Sequence, residues 1–153
     1  MAATKLSGLV ITELYTLASA LSGVATYRGR HRYQENDDPE ATLRGQTAET
    51  KAIVQWFIEE RTAPAPSATT SGSLTIHGQV SMRLRTQESS EMDVAYDLMD
   101  SIFEAVMQET NYNILGVRPV NGRWGRDVDE LENDIAVFFI SITFQTGPIC
   151  ETQ

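Results

Sequence analysis

The stretch DIAVFFISITFQTG, Asp134 to Gly147, carries no charge beyond Asp134, in a chain with 21 Asp and Glu, 12 Lys and Arg and a net charge of −9. So long an uncharged run is a membrane span, a core strand or a contact surface. It is too short for a transmembrane helix, which needs about 20 apolar residues. Alternation instead divides it into two rows, Ala136, Phe138, Ile140, Ile142 and Phe144 against Ile135, Val137, Phe139, Ser141, Thr143 and Gln145. The first row is apolar throughout and predicts a strand face buried under helices. The second is apolar only over its first half, so a further element or another subunit should cover that half, leaving the rest to water.

Working outward, LTIHGQVSMRLRT alternates just as strictly, with Leu74, Ile76, Val80, Met82 and Leu84 on one side and Thr75, His77, Gln79, Ser81, Arg83 and Arg85 on the other. KAIVQWFIEER, Lys51 to Arg61, is dense in β-branched and aromatic residues and puts Val54, Trp56 and Ile58 on one face. Between these strands, TAPAPSATTSGS, Thr62 to Ser73, reads as a mobile arm, and antiparallel pairing is the simplest topology. ILGVRPV, Ile114 to Val120, reads as a strand that Pro119 confines to an edge or end. NGRWGRDVDELEN then reads as a loop, with Gly122 and Gly125 as turn glycines. Val24 to Tyr33 is a further possible strand, followed by a long polar loop from Gln34 to Thr50.

Two segments have helical spacing. Leu6, Leu9, Val10, Leu14, Leu17, Ala18 and Leu21 form one stripe, and Gly23 stands where a C-cap is expected. Because Glu13 interrupts that stretch, it reads as an ordinary helix rather than a signal peptide. In SEMDVAYDLMDSIFEAVMQET the apolar stripe is Met92, Ala95, Tyr96, Met99, Ile102, Phe103, Val106 and Met107, and Ser90 with Asp93 forms a capping-box-like start. Its outer face carries Asp97, Asp100, Glu104 and Glu109 and no cation. The expected architecture is α+β: one domain over residues 1–153, a mainly antiparallel sheet of about four to five strands, two helices packed on one face, and long mobile loops.

Several chemistries are disfavoured. An acidic surface repels duplex DNA, whose affinity for proteins comes from neutralised phosphates. The lone Cys150 allows no intramolecular disulfide, and a reducing compartment is the default. His31 and His77 lack zinc-site spacing, no glycine-rich loop precedes a lysine, and no nucleophile stands beside a base. The acids Asp127, Asp129, Glu130, Glu132 and Asp134 lack the order of a calcium loop and read as solvated. No catalytic residue, metal or cofactor is therefore expected. Arg28, Arg30 and Arg32 in RGRHR would share one strand face, suited to carboxylates of a neighbouring subunit. Trp124 between Arg123 and Arg126 has the composition of an interface anchor, or else folds back over the end of the sheet.

From Leu74 to Thr146 the order of SLTIHGQVSMRLRT, EMDVAYDLMDSIFEAVMQE, ILGVRPV, an acid-ended polar connection and IAVFFISITFQT resembles the tail-terminator proteins of long-tailed bacteriophages. Head-closure and tail-completion proteins of the phage neck have a similar size and element order. The resemblance implies a non-enzymatic virion protein, made in the host cytoplasm. Its copies would form a homohexameric ring that caps the tail tube, ends polymerisation and offers a joining surface to the head connector. Its expected partners are the tube protein and the connector or head-closure protein, with DNA passing through unbound and no membrane. On this reading Arg28, Arg30, Arg32, Arg123, Trp124, Arg126 and Phe139 lie at subunit contacts, and the helix acids Asp97, Asp100 and Glu104, or else the acids of the loop that follows Arg126, line the channel. The segment Gln34 to Thr50 is longer than in the simplest members of that family. The rival expectation is a small ligand-binding domain or enzyme with a pocket between helix and sheet.

Overall fold

The computed structural model describes residues 5–28, 52–62, 72–84, 89–132 and 135–147. In chain order these are α1 (Leu6–Ser19), β1 (Val24–Thr26), β2 (Ala52–Thr62), β3 (Gly72–Arg83), α2 (Ser89–Val106), a 3-10 turn (Glu109–Tyr112), β4 (Arg118–Glu132) and β5 (Ile135–Thr146). The strands form one five-stranded sheet in the order β1-β2-β3-β5-β4. β1 runs parallel to β2, and every other neighbouring pair is antiparallel. The fold is α+β, with the helices on one face.

The uncharged run thus becomes β5, which is hydrogen-bonded on both sides, while charged β2 and β4 lie nearer the rims. β3 and β4 are both antiparallel to β5, hence parallel to each other, with α2 as the crossover between them. Ala136, Phe138, Ile140, Ile142 and Phe144 are all fully buried, and their register partners on β3 include Met82, Val80, Ile76 and Leu74. Val10, Leu14 and Ala18 of α1 join the same core as Met92, Ala95, Met99, Ile102 and Val106 of α2. This is the helix-facing layer that the alternation and the two stripes predict.

Four local expectations are corrected. The strand expected over Ile114–Val120 begins only at Arg118, because residues 113–116 form a turn in which Gly116 takes φ +72°. The expected loop NGRWGRDVDELEN lies within β4 as far as Glu132, and Gly122 and Gly125 serve close packing rather than turning. A β-carbon on Gly122 would stand 2.6 Å from Met107 Sδ, and one on Gly125 would stand 3.0 Å from the Phe139 ring. Ser90 is the second residue of α2 rather than its cap. The C-cap of α1 is Ala20, while Gly23 at φ +78° turns the chain into β1 and accepts a hydrogen bond from Ala52 N at 3.1 Å. β1 itself spans only Val24–Thr26; Tyr27 and Arg28 follow it outside any strand, and residues 29–33 of the expected strand lie outside the described residues.

Pro119 does sit on an edge strand, since β4 ends the sheet. At the other side, Tyr15 of α1 extends the short β1. Its hydroxyl accepts a hydrogen bond from Trp56 N at 3.0 Å and donates one to Tyr27 O at 2.9 Å, so a side chain supplies what a longer strand would have given to β2.

Candidate interaction surfaces

The second row of β5 lies on the sheet face away from the helices, and that face changes character along its length. At one end Ile53 and Val137 form a small buried cluster with Ala25 and Tyr27 packed against it, and Gln55, Gln79 and Ser81 are buried nearby. Val137, in the first half of that row, is therefore buried. Further along, Phe57 faces His77, His77 faces Ser141, and Ser141 faces Arg123, all of them half-buried or exposed.

Phe139 stands at the border between these regions and is half-buried. Its ring lies beside His77, with centroids 6.3 Å apart and planes at 9°, and the Arg123 guanidinium carbon is 5.2 Å from its centroid. Gly125 opposite leaves the room this ring uses. In-sheet neighbours flank Phe139, whereas Phe138 on the other face is fully buried. A cation over an aromatic ring at a partly exposed site contributes about 0.5–1 kcal/mol.

The helix side is different. Trp124 of β4 is half-buried under α2, its ring near those of Tyr96 and Phe138 at 6.2 and 6.3 Å, and its indole N–H donates to Asp100 Oδ1 at 3.0 Å. Of the two positions the sequence leaves for Trp124, the fold-back is the one occupied within the single chain. Arg126 is half-buried with Nη1 4.0 Å from Met92 Sδ. Arg123 and Arg126 thus point to opposite sides of the sheet. Arg28 is exposed, its guanidinium carbon 4.5 Å from the centroid of the Tyr15 ring, while Arg30 and Arg32 lie outside the described residues. Asp97, Asp100 and Glu104 are exposed on α2 together with Asp93.

Sequence reasoning placed Tyr96 in the core stripe, but it is 40% exposed, as is Val94 at 55%. His77, on the polar row of its strand, is half-buried beside Phe139. Their shared row makes the His77–Phe139 stack possible, but their pairing register, which alternation within each strand does not specify, brings them together.

Among the described residues, no group of three or more His, Cys, Asp or Glu is placed to hold a metal ion. No described helix is long and apolar enough to cross a membrane. A cleft of about 330 Å³ at the end of the sheet is lined by Glu109, Asn113, Val117, Arg118 and Gln145. It offers one carboxylate, one guanidinium and the Thr146 hydroxyl, with Arg118 Nε donating to Gln145 Oε1 at 3.0 Å. Neither a protein-family model nor a curated protein matches this chain. The surfaces therefore have to be read on their own chemistry.

Proposed function

We propose that this chain is a non-enzymatic structural subunit of a bacteriophage virion, the tail terminator, acting as a homohexameric ring on the last ring of the tail tube. The observation that supports it is the pairing of the resembling element order with a sheet whose face away from the helices is, among the described residues, half-buried or exposed over part of its length. Layered domains ordinarily bury both faces of a sheet or leave the outer one polar. Here the exposed part of that face holds Phe57, His77, Phe139 and Arg123, a mixture of aromatic rings and a cation suited to protein contact.

The mechanism is steric. The ring binds the growing tube end through strand edges and loops, and its other surface does not template a further tube ring but joins the head connector. The net charge of −9 disfavours holding passing DNA by its phosphates. Electron microscopy of purified protein mixed with tail tubes tests the reading: hexameric rings at tube ends are expected, and bare ends overturn it. Rings found elsewhere in the neck replace it with a head-closure role.

A further inference from the structure

We infer that copies of this chain join head to tail, the acidic row of α2 on one copy lying across the half-exposed end of the sheet face on the next. Asp93, Asp97, Asp100 and Glu104 fall at i, i+4, i+7 and i+11, which places them on one helical stripe about 16 Å long. All are exposed, and α2 contains no cation. Like charges at such spacing repel one another along the helix, a cost that an opposing cationic surface reverses. Val94 and Tyr96, both exposed, flank the stripe on either side and add apolar contact.

The matching surface is on the sheet face that points away from α2. Arg118 and Arg123 stand opposite Gln145 and Ser141 of β5, four residues apart, so about 14 Å separates them along the strand. Both are exposed, and between and beside them lie Asn121, Thr143, His77 and Phe139. Two cations at this spacing can meet carboxylates spread over the helical stripe, while Val94 and Tyr96 can meet the ring of Phe139. The two surfaces are different patches on opposite sides of the sheet, so the contact is heterologous and repeats from copy to copy, closing into a ring when the step rotation allows. The inference rests on the ring reading for that closure, and it gives the α2 acids a contact with a neighbour in place of a channel wall.

The test is sedimentation velocity on the full chain, with circular dichroism to show that each variant is folded. The wild type should sediment above monomer at roughly 50 mM salt and lose about tenfold or more in association constant at roughly 500 mM. The pair Arg118→Glu with Arg123→Glu should give monomers, as should the pair Asp97→Lys with Glu104→Lys. Mixed in equal amounts, these two variants present opposite charges to each other at every contact, and assembly should return. A monomeric wild type, single-surface variants that assemble like it, or a folded mixture that stays monomeric overturns the inference. Restored assembly with bare tube ends would refute the terminator role and leave this contact standing. Capped tubes with both variants still assembling would do the reverse.

Discussion

The indole of Trp56 occupies the space that a β-carbon on Gly78, its register partner across the β2–β3 pair, would fill. The two residues are one packing unit under the helices, and Trp56 is only 4% exposed because Gly78 has no side chain. Gly78→Ala should cost about 1–3 kcal/mol by overpacking, read as a lower urea midpoint at unchanged slope. In a Trp56→Leu background the same change should cost much less, and additive losses would show that the two side chains do not compete for that space.

Gly122→Ala should be milder than Gly78→Ala. The atoms it meets are the flexible end of Met107, Sδ at 2.6 Å and Cε at 2.9 Å, with Phe103 Cε1 next at 3.1 Å. A thioether end can rotate away where a buried indole cannot. Gly116→Ala has open space around it but a φ of +72°, so its loss should be about 1–2 kcal/mol and come from the backbone alone. Thermal melts of the three variants give the ranking.

Phe138 and Phe139 are adjacent in sequence and face opposite ways. Phe138→Ala removes a fully buried ring and should cost about 3–5 kcal/mol. Phe139→Ser should cost the isolated chain less, because its ring is half-exposed beside His77 and Arg123, and should weaken self-association instead. A Phe139→Ser monomer as unstable as the Phe138 variant would mean that the chain itself closes over this residue.

Tyr15→Phe should destabilise by about 1–3 kcal/mol, since it leaves Trp56 N without its hydroxyl acceptor and Tyr27 O without its donor. The effect should show as faster amide exchange at Trp56 than at the paired residues of β3.

Burial pushes the phenol of Tyr112 well above the ordinary tyrosine value of 10.0, with the Glu13 charge acting in the same direction. Burial also raises Tyr15, against smaller opposing effects of the Trp56 backbone hydrogen bond and the Arg28 charge. A folded-state pKa above the unfolded one means that this contribution is complete below 10.0 and is lost as pH rises through the folded value. Urea midpoints should therefore fall as pH rises above about 10. Tyr112→Phe should flatten that fall while losing the hydrogen bond to Val106 O.

The second half of the chain was the more legible in sequence. Alternation assigned the faces of β3 and β5 residue by residue, and the stripe of α2 named Met92, Ala95, Met99, Ile102 and Val106 as core. β4 was misread because glycine is ambiguous: Gly122 and Gly125 look like turns until Met107 and Phe139 are seen to need the room. Trp124 was ambiguous for a similar reason, since its composition suits an interface and only the position of α2 supplies Asp100 as the acceptor for its N–H.

The sequence by itself thus determined which residues share a face of a strand or a helix, because those periods are properties of the backbone over a few residues. It also determined that β5 is a core strand, since no charge interrupts it. Only the tertiary structure decided that β5 lies between β3 and β4, that β1 runs parallel to β2, that Tyr96 is exposed, and that His77, Phe139 and Arg123 meet on one face. Those facts depend on register and on contacts between residues far apart in the chain, where the free energy belongs to the pair and is carried by neither segment alone.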